Sequence, residues 1–219
     1  MMTGSERGGE SPLDSHNRTF YRESLMQMRI LAGLVALFGL VPTVSADDKV
    51  EMPLKNAKLG EWVEYKLTAQ GVPQPITIRQ TVSDRTDTDL TVKIETSMGG
   101  VKQPAKSKVL SLSKPYDPIK MLQDEAGPFK GEVKVGKTAT EVLKVNGKEF
   151  KTTWTEAEMS GEIMGKKVTT KLKVWQTKDV PLSGMVKMDM KMDNMGATSE
   201  MNMEFVGTGV EKIEKVEKK

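Results

Sequence analysis

The alternation of apolar and polar residues with a period of two constrains the fold of this chain more than any other feature. Apolar residues occupy every second position over residues 63–69, and the pattern recurs over 76–82 and 90–94. Gly71 and the pair Gly99-Gly100 fall between these segments. Such alternation is typical of strands that bury one side of a sheet, and glycines between them mark turns. The pattern therefore predicts an antiparallel meander.

The later part of the chain continues the same pattern. Asn146-Gly147 is its sharpest local signal, because both residues tolerate the positive φ that a type I′ hairpin turn requires. We predict an all-β fold, an antiparallel meander forming a half-barrel or open barrel of about ten strands with at most one short helix. A helical turn is expected at residues 119–122. Further strands are expected at residues 108–112, 132–135, 141–145, 148–155, 168–176, 185–193 and 200–206.

An export signal is predicted near the beginning of the sequence. Arg29 precedes an unbroken apolar run over residues 30–41, Pro42 follows it, and Val44-Ser45-Ala46 precedes Asp47. A charged start, a short apolar stretch and small residues before a cleavage point are typical of a secretory signal peptide. The run is shorter than the roughly 20 residues that span a bilayer. We expect a periplasmic or extracellular protein that is not transmembrane after cleavage.

These signals divide the chain into five segments. Residues 1–25 form a polar extension, and we expect the true start at Met26 or Met28; a long cytoplasmic region before an uncleaved anchor is the alternative. Residues 26–46 are the signal peptide, and residues 47–58 a linker. The β domain is expected over residues 59–207, followed by a charged tail over 208–219. One domain of this length can bury a core without disulfides.

The composition excludes several classes of site. The chain has no cysteine, and its only histidine, His16, precedes the predicted signal. The mature protein would thus lack thiolates and the commonest general base and metal ligand. The net charge is +3 and lysines dominate the cations, without the arginine clusters of nucleic-acid binders. We expect no cofactor, no metal, no nucleic acid and no enzymatic activity. An enzyme that uses carboxylates or lysine remains the alternative.

Two rows of methionines stand out near the end of the predicted β domain. On a strand, residues two apart point to the same face, so each row presents one apolar side, while Lys187, Asp189 and Glu204 point to the other. Phe150 and Trp154, on an earlier strand, are expected to share a face as well. We define the methionine rows as Val186, Met188, Met190 and Met192, with Met201, Met203 and Phe205 on the partner strand.

Three interpretations of the methionine rows are open. The first is ordinary core, in which methionine fills irregular gaps. The second is a deformable apolar cavity, because flexible thioethers adapt to varied ligands. The third is capture of Cu(I), for which thioethers are suitable soft ligands, at an exposed and mobile methionine tract.

Other side-chain groups have simpler interpretations. Glu156 and Glu158 could act as paired carboxylates, but a solvated strand end near Gly161 is favoured, because carboxylates at turns are usually hydrated. Asp84, Asp87 and Asp89 lack the glycine and final glutamate of a calcium loop, so a plain turn is favoured. Trp62 and Trp175 fall on the face opposite their apolar neighbours. Either both faces of the sheet are partly covered there, or an aromatic patch is exposed.

Two segments carry a resemblance to a known family of proteins. They are Gly60-Glu61-Trp62-Val63-Glu64-Tyr65 and Val174-Trp175-Gln176, the latter with the Val180-Pro181 loop that follows it. Over residues 59–207 the pattern resembles exported bacterial β-sheet proteins of the LolA/LolB-type lipoprotein carriers. The resemblance implies a curved antiparallel sheet around an apolar concavity. No functional residue of these carriers matches a position here. Without a lipid-attachment cysteine, this chain is not a lipoprotein of the receptor type.

The leading functional hypothesis is an exported, non-enzymatic binding protein for an apolar or amphipathic, lipid-like ligand. The ligand would lie in a concave sheet face lined by the methionine rows, with Phe150 and Trp154 as further candidates. Desolvation of its apolar surface would drive binding. The alternative is an envelope structural or protein-interaction module, which would use exposed edges or the face of Trp62 and Trp175 around a filled core.

Overall fold

The structure, a computed structural model, describes residues 53–112, 130–163, 166–194 and 197–213. Over these residues the chain forms one antiparallel sheet of ten strands, with a single short 3-10 helix. The predicted export signal and the predicted helical turn at 119–122 lie outside the described residues. The helix is Pro53–Asn56, and the strands are β1 Glu61–Ala69, β2 Ile76–Arg85, β3 Asp89–Met98, β4 Val101–Lys102, β5 Lys106–Ser111, β6 Lys130–Val145, β7 Lys148–Ile163, β8 Lys166–Gln176, β9 Met185–Asn194 and β10 Ala197–Val210.

The sheet is open, and its strand order is β4-β3-β2-β1-β10-β9-β8-β7-β6, with β5 also pairing with β3. The first and last strands pair in the middle, so two meanders meet along β1 and β10. The predicted all-β class, the antiparallel pairing and the strand number are thereby confirmed. In the described part of the chain, β6 is one edge of the sheet, and β4 and β5 lie at the other.

One face of the sheet, here called the inner face, carries the core. A row of cross-strand partners runs over it from Val174 to Met188, Met203, Leu67 and Ile76, and all five are buried. The strict alternation of the sequence produces this arrangement, since residues in register on neighbouring strands point to the same side. Burying each such side chain contributes about 1.5–3 kcal/mol.

The sheet curls strongly around its inner face. β7 and β10 are three places apart in the strand order, so a flat sheet would separate them by about 14 Å. Instead the rings of Phe150 on β7 and Phe205 on β10 meet edge to face with centroids 5.5 Å apart. Asn146, in the turn after β6, also donates from Nδ2 to the Phe205 carbonyl at 2.5 Å. The tip of the β6–β7 hairpin therefore packs over β10.

The loop between β8 and β9 and the residues before β1 fill the same end of the inner face. Val180 and Leu182 in the loop are fully buried. Leu54 and Ala57, which precede β1, are buried in the same core. Residues 53–58 were expected in a linker, yet they supply these two core side chains. The residue after β10 is also bound to the start of the domain, because the amide of Glu211 donates to the Gly60 carbonyl at 2.8 Å.

The predicted and observed strand boundaries differ most in β6. The sequence predicted two short strands at 132–135 and 141–145, whereas one strand runs over Lys130–Val145. Its register against β7 shifts between Val135 and Thr138, so a bulge at this point interrupts the alternation without ending the strand. The Asn146-Gly147 turn has the predicted geometry, with φ of 49° and 78°. In the part of the chain that the structure describes, no helix has the length and apolarity needed to cross a membrane.

Candidate functional site

The methionine rows lie together on the inner face of β9 and β10. Met188 is the direct cross-strand partner of Met203, and Met190 of Met201. Val186 and Met188 have no exposed surface, and the other members are buried or, for Met192, partly buried. The β strands thus bring all seven residues to one side, as the alternation predicts.

The methionine rows are packed as core at the end nearest the hairpin tip. Phe205 lies against Phe150 and is the register partner of Tyr65, and Val186 is completely covered. This arrangement matches the first interpretation of the rows, ordinary burial. It also removes the exposed methionine tract on which the Cu(I) hypothesis depended, since buried thioethers are not free to bind an incoming ion.

The prediction that Phe150 and Trp154 share a face is wrong. Phe150 is buried in the core, whereas Trp154 lies beside Trp175, with Nζ of Lys173 at 3.8 Å from the centroid of the Trp154 ring. Thr152 and Thr155 are both buried, so the alternation of β7 slips by one residue between them, next to the bulge in β6. Trp154 consequently leaves the set of residues around the methionine rows.

A second feature lies at the other end of the methionine rows, where the sheet forms an open depression of about 1080 Å³. Six strands border it, and each contributes three consecutive residues. Of the nine predicted site residues, Met190 and Met201 line it. The complete lining is Thr68–Gln70 at the end of β1, Lys134–Gly136 of β6, Glu156–Glu158 of β7, Lys171–Lys173 of β8, Asp189–Lys191 of β9 and Glu200–Asn202 of β10.

The lining alternates like the strands that form it. The middle residue of each triplet is apolar, and Leu172, Met190 and Met201 among them are buried, so the strands form the floor at these positions. The residues before and after are mostly charged or amide residues, and their side chains point to the opposite, outer face because successive residues of a strand alternate. The depression therefore has an apolar inner side, as ligand sites commonly do, with charged residues bordering it.

The charged residues that border the depression form cross-strand ladders on the outer face of the sheet. Nζ of Lys171 lies 3.9 Å from the Glu158 carboxylate, and Nζ of Lys191 lies 3.4 Å from that of Glu200. Lys171 and Lys191 are themselves direct partners across β8 and β9. The solvated strand end predicted for Glu158 is thus one side of a paired ladder. Sequence alone could not place these four residues together, because their register depends on three strand pairings.

The described residues contain no group of three or more histidine, cysteine, aspartate or glutamate side chains positioned to hold a metal ion. The turn around Asp87 is held by the Thr86 hydroxyl, which accepts from the Asp89 amide at 2.9 Å. This is a plain polar turn. Elsewhere, the hydrogen bond from Lys93 holds the pKa of the Glu95 carboxyl below its usual value, at a site away from the depression.

Trp62 and Trp175 fit the first of the two predicted alternatives, with both sheet faces partly covered. The Arg79 guanidinium lies 4.0 Å above the Trp62 ring and is paired with Glu211 at 2.7 Å. Trp175 is only 6% exposed, because Lys173 and Lys187 cover its ring. Its Nε1 donates to the Glu141 carboxylate. These contacts stabilise the outer face of the sheet rather than presenting an aromatic patch.

No protein-family model and no curated protein matches the chain. Among solved structures, it is similar to a protein from Bacteroides fragilis described as exported and having a YmcC-like fold. That likeness has 9% identity and a TM-score of 0.46, and covers 69% of this chain and 96% of the other. It is also similar to mFAP1, a redesigned β-barrel bound to DFHBI, at 9% identity and a TM-score of 0.22, over 68% and 94% of the two chains. Neither is described as a lipoprotein carrier, and at these TM-scores neither likeness assigns a function.

Proposed function

We propose that this chain is an exported, non-enzymatic protein that binds an amphipathic, lipid-like ligand in the open depression. The observation that carries the proposal is the depression itself, whose volume of about 1080 Å³ suits a ligand with a chain and a headgroup. Its inner side is formed by apolar residues that include Met190, Met201 and Leu172, and charged residues border it. Binding without chemistry accords with a chain that has no cysteine and one histidine at position 16.

The proposal differs from the sequence hypothesis in the position of the ligand. The hairpin tip and the β8–β9 loop fill the inner face around Val186, Met188 and Phe205. A ligand at that end would have to displace packed core, at a cost of several kcal/mol. The end with Met190 and Met201 is the one that borders open space.

The test is binding of an uncharged fluorescent amphiphile, the methyl ester of a dansylated undecanoic acid. Ala69→Trp places a bulky ring on the inner face beside Met201, in the lining, and should weaken binding about tenfold, which corresponds to roughly 1.4 kcal/mol. Lys66→Trp is the matched control, because Lys66 is exposed on the same strand three residues away but does not line the depression. Equal binding by both variants, or no binding by the wild type, would contradict the proposal.

A second candidate is an envelope protein-interaction module, favoured by one observation on β6. This edge strand exposes Val135 and Val142, at 51% and 63%, where another strand could pair. Native mass spectrometry of the protein isolated from its own host separates the two candidates. A co-purifying amphiphile supports the first, and a stoichiometric protein partner without an amphiphile supports the second.

A further inference from the structure

Six apolar residues, one from each strand that borders the depression, form a single row across the inner face. In register order they are Ala69, Met201, Met190, Leu172, Ala157 and Val135, and we call them the floor row. The row spans five interstrand steps of about 4.8 Å, so its length measured along the sheet is about 24 Å. One leaflet of a bilayer holds only about 15 Å of hydrocarbon, so a complete acyl chain fits along the floor row.

Two alanines make room above the floor row. Ala157 lies on the inner face between Thr155 and Met159, which are both buried, yet Ala157 itself is only partly buried. An alanine side chain ends at Cβ, so the space that a larger residue would fill stays open. At the β1 end of the row, Ala69 is likewise partly buried, although the preceding inner-face residue, Leu67, is buried. A leucine at either alanine would therefore occupy part of the depression.

The inner surface of β7 to β10 around the floor row is uncharged. On these four strands, the floor-row residues and the residues two positions before and after them carry no ionisable group. A charge held against such a surface would lose its hydration without gaining a partner. The two ends of the row differ, because Val135 on the edge strand is 51% exposed, whereas Ala69 is partly buried. Solvent therefore reaches the row most readily at its β6 end.

We infer that the ligand is a long-chain amphiphile whose hydrocarbon chain lies across the strands along the floor row. Its polar group lies at the β6 end, and the end of its chain lies at Ala69. This inference rests on the proposed function, since it assigns the orientation and the chain length of the ligand in that same depression. Ala69 then limits the length of the chain, and Ala157 limits how closely a chain of any length approaches the floor row.

The experiment titrates the full-length protein with dansyl amides whose linear alkyl chains range from octyl to octadecyl, and follows the dansyl fluorescence. In the wild type, each added methylene should strengthen binding about fourfold, the equivalent of about 0.8 kcal/mol, until the chain reaches Ala69. Ala69→Leu should leave the affinity for the octyl probe unchanged and end this increase at a shorter chain. Ala157→Leu should weaken the binding of every probe about tenfold.

Ser160→Leu is the matched control, because Ser160 is exposed on the outer face of β7 and does not line the depression. It should leave every affinity unchanged. Both alanine variants add apolar surface at partly buried positions, so their thermal midpoints should equal or exceed that of the wild type. The unchanged affinity of Ala69→Leu for the octyl probe is a second check that this variant is folded.

The outcomes separate the inference from the proposed function. A wild-type affinity that does not depend on chain length, or a chain-length profile that Ala69→Leu does not alter, would overturn the inference and leave the proposed function standing. The same holds if Ala157→Leu shortens the favoured chain while Ala69→Leu weakens the binding of all probes, since the ligand would then lie in the opposite direction. Binding of no probe by the wild type would remove both.

Discussion

Tyr65 connects the middle of the sheet to the loop that fills the inner face. Its phenol is fully buried and shares a 2.7 Å hydrogen bond with Oγ of Ser183. Burial raises the pKa of the phenol, because the phenolate would lose its hydration, and the hydrogen bond to Ser183 lowers it to a smaller extent. The folded chain therefore keeps this proton at pH values where an exposed tyrosine has already ionised.

This difference predicts a loss of stability at alkaline pH that depends on Tyr65. Above about pH 10 the unfolded phenol releases its proton while the folded one retains it, so the free energy of unfolding should decrease as the pH rises. The contribution is complete below that pH, and its slope approaches about 1.4 kcal/mol per pH unit above it. Urea unfolding of the wild type and of Tyr65→Phe at a series of alkaline pH values measures it. The lysines are common to both proteins, so parallel curves would contradict the prediction.

Gly209 makes room for the indole of Trp62 on the neighbouring strand. A Cβ at Gly209 would lie 2.9 Å from the nearest ring atom, whereas one at Gly207 would lie 4.0 Å from the same ring. We expect Gly209→Ala to lower the free energy of unfolding by about 1–3 kcal/mol, because the ring and the Arg79 stacked on it must shift. Gly207→Ala is the matched control and should be neutral or slightly stabilising. Equal effects of the two variants in urea unfolding would show that the ring moves freely.

At the scale of elements, the β6–β7 hairpin holds the curl of the sheet through its turn. Asn146 adopts positive φ and also donates to the Phe205 carbonyl, so its conformational and bridging roles can be separated. Asn146→Gly keeps the turn and removes the donor, and should cost about 1 kcal/mol of stability. Gly147→Asn keeps the turn and the Asn146 donor, since a Cβ at position 147 meets nothing within 4 Å, and should lower the stability by less. Equal losses in urea unfolding would mean that the bridge contributes nothing.

A structural element can be predicted from the sequence when neighbouring residues along the chain determine it. The methionine rows and the Asn146-Gly147 turn follow from period and φ alone, and the structure has both. The slip between Thr152 and Thr155 could not be predicted, because it accompanies a bulge on another strand and moves Trp154 away from Phe150. The depression was missed for the same reason, since Leu172 and Met190 in its floor become partners only through the register of β8 against β9.

At the scale of the whole molecule, the open sheet has an edge that must not pair indiscriminately. β6 exposes Val135 and Val142, but it also carries Lys134, Lys137 and a bulge between them. Lysines and bulges on an edge strand discourage pairing with other chains. This combination favours the depression over the edge as the functional surface, because the fold protects the edge and leaves the depression open.

The filled inner face predicts a pattern of methionine oxidation across the molecule. Met188 and Met203 are buried at the centre of the sheet, whereas Met98 and Met192 are partly exposed. Hydrogen peroxide should therefore convert Met98 and Met192 to sulfoxides well before Met188 and Met203 in the folded protein, because the buried thioethers react only when the core opens. Peptide mapping by mass spectrometry follows each site, and unfolding in urea should make the four rates similar. Early oxidation of Met188 in the folded chain would mean that the inner face is hollow at that end, and the ligand would then belong there rather than in the depression.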